Sequence, residues 1–385
     1  MSSVSGSPSL SYLDLMNRCD NIVVSRLGSG DFSDVLFEEL TPLRLSPDPK
    51  SPVIGLLRPI MLKALRTENE RSRKAGAQEL WFLEPGLRVD HTFERDGITS
   101  YTGARHGSSP ISTGFVSLQS RLDTPSKRTA AFKELCERWR DEEVFPDVSG
   151  KRKWRDEMYP VYKDPFGVHD HPADAGSDGY NYAFELERSA CALFGIVTYG
   201  VHLTIYQEDL ASKNLKLWVP TRARTKQTFP GMLDNTVAGG IPSGMGMFES
   251  LVKECMEEAS IEEDVVRTHA RAVGAISYFY KTTAGWLQPE IEYVYDMPMP
   301  PNAEPGPFTP KPLDGEVESF DFLTQDQVIS KMRAGLFKPN CALVLVDLFI
   351  RLGYITPENE SDYMKIVTRL HGRFDYDLWQ PQARV

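Results

Sequence analysis

The sequence predicts an α/β protein whose layered domain occupies the C-terminal half and follows a separate first unit. Three observations carry this: β-rich runs alternate with helix-patterned runs after about residue 184, a Gly/Pro-rich loop opens into an amphipathic helix at Phe248 to Ala259, and 385 residues exceed what one apolar core serves. At roughly 100 to 200 residues per domain, the length implies about two. A hydrophobic fraction of 41% and a charged fraction of 25% are those of a folded chain rather than a disordered one. The net charge of −11 repels polyanions, so the expected partner is neither nucleic acid nor a membrane surface. A small anionic substrate would then need a metal ion or a few local Lys and Arg side chains. The cysteines (Cys19, Cys136, Cys191, Cys255, Cys341) form no CxxC pair and indicate neither a disulfide framework nor a zinc site. The first residues lack a basic, apolar leader, and no run approaches the roughly 18 apolar residues of a membrane span, so the expected location is cytoplasmic.

Residues 1–10 are rich in Ser, Gly and Pro and are expected to be disordered. Ser11, with Asp14 three residues on, predicts a cap for a helix bearing Leu13, Leu15 and Met16. Ile54 to Leu65 is apolar, with Pro59 suited to a first helical turn, and is expected to be helical. In Phe132 to Arg140, Phe132, Leu135, Cys136 and Trp139 follow the spacing of a core-facing helix. Asp96 to Thr113 and Pro160 to Tyr182 have the composition of exposed loops, and the second marks a domain boundary near Phe184. Beyond it, Ile196 to Tyr206, Leu215 to Val219, Ala272 to Tyr280 and Glu290 to Tyr295 are predicted strands. Met297 to Pro312 is a predicted loop, and Gln325 to Met332 and Leu343 to Leu352 are predicted helices. The resulting division is 11–183, 184–375 and a tail at 376–385.

The segment Gly239 to Ile261 carries the chemistry. On a helix of about 100° per residue, Phe248, Leu251, Val252, Cys255 and Ala259 form the core face. Glu254, Glu257 and Glu258 stand at i, i+3 and i+4, so three carboxylates share one sector. Like charges at that spacing repel, and an acidic helix face is most often solvated surface. Here Gly239, Gly240, Gly244 and Gly246 precede the helix and let backbone approach a ligand closely, which favours a binding role. Magnesium takes oxygen ligands, often carboxylates shared with substrate phosphates.

The segment resembles the box of the Nudix family: Gly, five residues, Glu, seven residues, Arg-Glu, an apolar residue, any residue, Glu-Glu, any residue, Gly, an apolar residue. Gly239, Glu254, Cys255, Glu257, Glu258 and Ile261 match it. Met245 stands where the first Glu is expected, Lys253 replaces the Arg and Ser260 the last Gly. The flanks Leu217 to Pro220, Lys226 to Thr228, Pro230 to Asn235, Glu185 to Gly200 and Gly285 to Tyr295 resemble the fungal-type subgroup associated with thiamine pyrophosphokinase. The resemblance implies an α/β/α sandwich with a mixed sheet, preceded by an α+β accessory domain. It further implies magnesium, or manganese in its place, bound by Glu254, Glu257 and Glu258, and hydrolysis of thiamine diphosphate or its oxidised analogues to the monophosphate. Members often add an acidic residue outside the box; of Glu290, Glu292, Glu316 and Glu318, Glu292 is favoured and Glu316 comes next, the latter grouped with the substrate-binding set of Gly239, Gly240, Arg222, Lys226, Gln227 and Asp234. Two alternatives remain open, an 8-oxo-guanine nucleoside diphosphate phosphatase and a catalytically weak binding module of the same fold, and a homodimer is compatible with the sequence. The HDH run at His169 to His171 lies in a Pro/Asp-rich loop without a second ligand pair and is read as loop rather than metal site.

Overall fold

A computed structural model of the chain describes residues 9–22, 40–84, 93–95, 98–100, 114–174, 180–209, 214–301 and 303–374. Of the expected disordered start only residues 9 and 10 are described, and the expected tail at 376–385 lies outside the described residues, as does most of Asp96 to Thr113.

Helix α1 (Tyr12–Cys19) has the expected cap: Ser11 Oγ accepts the Asp14 N–H at 3.0 Å, and Asp14 Oδ2 accepts the Ser11 N–H at 2.8 Å. Strands β1 (Thr41–Arg44) and β2 (Val53–Leu57) pair antiparallel. The predicted helix from Ile54 is therefore corrected over its first residues, and α2 begins only at Pro59 and runs to Lys74. Val53 to Leu57 is buried on both sides, and a short all-apolar run lacks the alternation that separates strand from helix. After β3 (Trp81–Leu83), the pair β4 (Phe93–Arg95) and β5 (Ile98–Ser100), and β6 (Val116–Leu118), the first unit has a four-stranded sheet in the order β2-β1-β6-β3. Helix α3 (Pro125–Asp141) contains the predicted run at Phe132 to Arg140. Strands β7 (Met158–Tyr162) and β8 (Tyr182–Glu187) pair antiparallel, so both ends of the predicted loop Pro160 to Tyr182 are strand. The buried Tyr159, Val161 and Tyr162 anchor β7, and the two-stranded ribbon tolerates Pro160, which has no N–H to lose. Helix α4 (Cys191–Phe194) closes the unit, whose core gathers Trp81, Phe132, Trp139, Phe184 and Phe194.

The second unit is one mixed sheet in the order β12-β13-β9-β10-β14, with β11 beside β9. Its strands are β9 (Thr198–Asp209), β10 (Asn214–Arg222), β11 (Val237–Gly240), β12 (Arg271–Lys281), β13 (Leu287–Pro298) and β14 (Val317–Thr324). Only β9 and β13 run parallel to each other. Helices α5 (Met247–Ala259) and α6 (Glu263–His269) bury Leu251, Cys255 and Val266 against Val201, Leu203 and Ile205 of β9. The other face is covered by α7 (Gln325–Arg333), α8 (Pro339–Arg351), α9 (Tyr363–Leu370) and α1, around Leu217, Ile276 and Val294. Helix α8 is buried from Asn340 to Phe349, as expected of a helix apolar all round. The α/β/α sandwich with a mixed sheet expected from the sequence is the observed arrangement. Among the described residues, no helix is long and apolar enough to cross a membrane.

Candidate active site

Helix α5 leans its carboxylates on the short strand β11. A methyl group on Gly239 would lie 2.2 Å from Cδ of Glu254, so only glycine lets that carboxylate settle on the strand. One turn on, Glu258, 7% exposed, accepts the backbone N–H of Ala238 at 3.3 Å. Burial pushes the Glu258 carboxyl up to about 8, with the charges of Asp234 and Glu254 adding and Lys226 opposing. Burial also raises Glu254, against the pull of Lys253. Glu257 is the outer member, with its side chain 49% exposed.

Two ammonium groups stand among these carboxylates. Lys253 Nζ lies 3.2 Å from Glu254 and 2.6 Å from Glu257. Lys226 Nζ pairs with Glu316 and stands 4.0 Å from Glu258. Burial works against Glu316, yet the Lys226 partner holds it below the usual carboxylate range. The donors are all carboxylate oxygens, and the repulsion that helps raise Glu254 and Glu258 is what a hard divalent cation would relieve. In that sense the residues fit magnesium. Among the described residues no three His, Cys, Asp or Glu side chains converge to hold an ion as they stand. Phosphate oxygens of a substrate, which magnesium commonly takes as ligands, would complete the set.

The remaining predicted residues divide. Arg222 and Asp234 form a buried ion pair at 2.5 Å, and Arg222 also donates to the carbonyls of Thr228 and Phe229 at 3.0 and 3.2 Å. Both are thus turned toward each other, holding the approach loop in place. Burial disfavours the charge on Asp234, but Lys338 and Arg222 more than offset it and keep the group well below its ordinary range. Gln227, Gly239, Gly240 and Glu292 line a cavity of about 500 Å³, within the size range of ligand pockets. Gly240 ends β11 under the Tyr159 hydroxyl, which a methyl there would meet at 1.5 Å.

Glu292 does not join the α5 carboxylates directly. It pairs in register with Gly200, next to Val201, whose side chain packs toward α5, so Glu292 stands on the opposite face of the sheet. There Tyr278 donates to it at 2.7 Å and Asn340 at 3.2 Å, while His202 Nε2 lies 3.5 Å away. Glu290, two residues earlier, lies against the same Tyr278 hydroxyl and accepts from Thr198 at 3.1 Å. The two carboxylates share one buried pocket with different outcomes: burial and the Glu292 charge raise Glu290, whereas His202 overrides burial and lowers Glu292. The HDH run supplies a contact between the units. His169 stacks on Tyr162 at 4.4 Å, and His171 Nε2 lies 3.1 Å from the Gly244 carbonyl in the loop before α5.

Sequence reasoning missed the cavity wall built by the first unit, Tyr159, Arg155 and Arg188, together with Tyr278. Arg188 lies inside the quoted stretch Glu185 to Gly200, but its role depends on a β7–β8 pairing that the composition of the intervening loop obscured.

The class defined by fold and site is thus a mixed-sheet sandwich with a carboxylate-bearing helix laid on a glycine strand. A family described as a domain of unknown function, DUF4743, matches residues 108–198. Over 241 residues the chain is 40% identical to the Saccharomyces cerevisiae protein named Uncharacterized protein YJR142W, covering 60% of this chain and 64% of that one. It is 37% identical over 275 residues to Nudix hydrolase 20, chloroplastic, of Arabidopsis thaliana (71% and 66%), and 35% identical over 258 residues to Nudix hydrolase 24, chloroplastic, of the same plant (67% and 63%). The chain spans just under two thirds of the length of these relatives. Together with the box, the names carried by the plant relatives support the Nudix hydrolase family for this chain.

Proposed function

We propose that the chain is a magnesium-dependent diphosphate hydrolase, acting in the cytoplasm on thiamine diphosphate or its oxidised analogues. The observation that carries the reading is the placement of Glu254 and Glu258 on the glycine strand β11, whose Ala238, Gly239 and Gly240 line a cavity large enough for an organic diphosphate. The plant relatives are named hydrolases of the same family, and the flanks of the box narrow the reading to thiamine-type compounds. Water attacks one phosphorus, the anhydride P–O bond breaks, and the organic monophosphate and inorganic phosphate leave. When bound, magnesium, or manganese in its place, supplies charge neutralisation at the diphosphate and acidifies water. Glu254, Glu257 and Glu258 are the residues that would hold it. Glu292, kept ionised by His202, is the proton acceptor on the cavity side. Lys226 and Gln227 approach the substrate from the loop after β10.

Phosphate release from thiamine, oxythiamine, oxo-thiamine and 8-oxo-guanosine diphosphates, with magnesium and with chelator, tests this. Metal-dependent release is expected, falling by about 100-fold or more in Glu258→Gln, the scale of a lost catalytic carboxylate. No release from any member rejects the enzyme. Preference for the guanosine compound would move the substrate class. The Lys253 bridge across Glu254 and Glu257 favours one second reading, a non-catalytic binder, which would bind these diphosphates and release nothing.

A further inference from the structure

The first unit contributes two guanidinium groups to the cavity wall that the box chemistry does not use. Arg155 precedes β7 and Arg188 follows β8, and the strand pairing brings them together: the Arg155 N–H donates to Glu187 Oε1 at 2.9 Å, and the Arg188 N–H to the Glu157 carbonyl at 2.8 Å. Arg188 is fixed in place. Its Nη1 donates to Glu157 Oε2 at 2.8 Å, and its guanidinium stands 5.1 Å from the ring centre of Tyr159, the residue whose hydroxyl covers Gly240. From there its positive charge reaches Glu254 on α5 and Glu290 on β13. Arg155 lines the same cavity, is exposed to it, and makes no side-chain hydrogen bond or ion pair among the described residues. Burial and then the neighbouring Arg188 both disfavour its charge. Two like charges are held toward one cavity with one ion pair, Arg188–Glu157, between them, and a guanidinium fork matches phosphate oxygens in shape as well as charge.

We propose that Arg155 and Arg188 form a phosphate clamp, supplied by the first unit, that binds the diphosphate end of the substrate in the cavity lined by β11, the strand on which the α5 carboxylates rest. That the bound anion is a substrate rests on the hydrolase reading; the clamp itself rests on the arginine geometry. A catalytic site completed in this way is shared between the two units, and the first unit then sets affinity for the phosphate end.

Two measurements on the full chain separate the clamp from the hydrolase. The first is calorimetric binding of inorganic pyrophosphate in chelator, without divalent cation. The second is KM and kcat for phosphate release from thiamine diphosphate with magnesium. Arg155→Ala and Arg188→Ala are each expected to weaken pyrophosphate binding and raise KM by about 10- to 100-fold, the worth of a charge-assisted hydrogen bond or two, with kcat changed less. Arg188→Lys should recover part of the loss, and Arg71→Ala, an exposed arginine paired with Glu142 away from the cavity, should change neither value. Should Arg188→Ala fail to fold for want of its Glu157 and Tyr159 contacts, Arg155→Ala carries the test, since no side-chain partner is lost. Wild-type failure to bind pyrophosphate, or unchanged binding and KM in Arg155→Ala, overturns the clamp even where metal-dependent hydrolysis stands. Arginine-dependent pyrophosphate binding without hydrolysis of any diphosphate keeps the clamp and rejects the hydrolase.

Discussion

Burial moves the Glu258 carboxyl from an ordinary 4.5 to about 8, so near neutral pH and without a cation it holds a proton. Because the folded value lies above the unfolded one, the associated stability is complete below about 4.5 and is lost as pH rises toward 8. In chelator, the melting temperature of the wild type should therefore fall between pH 5 and 8 more steeply than that of Glu258→Gln, by the equivalent of a few kcal/mol at most. Parallel slopes for the two proteins would contradict this. Cation affinity should rise over the same interval, since the proton must leave before the carboxylate can ligate. Ser260 raises a different residue-scale question. It closes α5 with φ of 53°, the left-handed conformation that the usual glycine of the box adopts freely. Its hydroxyl bonds the Lys311 carbonyl at 3.0 Å and offsets part of the strain. Ser260→Gly should stabilise the protein by about 1 kcal/mol or less, read as a higher urea midpoint at unchanged slope. A lower midpoint would mean that the hydroxyl contact outweighs the strain.

At the scale of elements, function depends on how closely α5 approaches β11. Gly239→Ala would drive a methyl group into Glu254, and either the carboxylate or the helix must move. The expected result is a loss of phosphate release of about 100-fold, as for a misplaced catalytic group, with a stability cost of about 1–3 kcal/mol. Equal activity would show that Glu254 need not rest on the strand. Helix α5 was legible because its information is local: apolar residues at helical spacing, a glycine loop before it and three glutamates in one sector. The strands β9, β10, β12 and β13 were legible for the same reason, through alternation and β-branched residues. Val53 to Leu57 was not, because a strand buried on both faces has no alternation to read. Neither was β11, where Gly239 and Gly240 have the composition of a turn but pair with Val201 and Gly200 of β9. The glutamates of the box could be read from the sequence; the arginines of the cavity wall could not, since nothing near Arg155 in sequence reveals that β7 pairs with β8 and brings it beside Arg188.

Across the whole molecule the units interlock. Trp286, from the turn between β12 and β13, enters the core of the first unit against Phe145, donates Nε1–H to Asp147 at 2.7 Å and carries Arg58 over its ring at 5.2 Å. Trp286→Ala should cost about 3–5 kcal/mol. If the units are coupled as this contact indicates, far-ultraviolet circular dichroism and tryptophan fluorescence should report one shared unfolding transition in the wild type. Two separated transitions would mean that each unit stands alone. Helix α1 crosses in the opposite direction, burying Leu15, Met16 and Cys19 among residues of α8 and α9. Eight residues long, it is too short to hold its helical form unaided. During synthesis at about 5–20 residues per second, it leaves the ribosome tens of seconds before its packing partner α8 (Pro339–Arg351) has been made. The earliest described helix to emerge is therefore among the last to find its place, and until then its apolar side is open to whatever in the cell binds nascent chains.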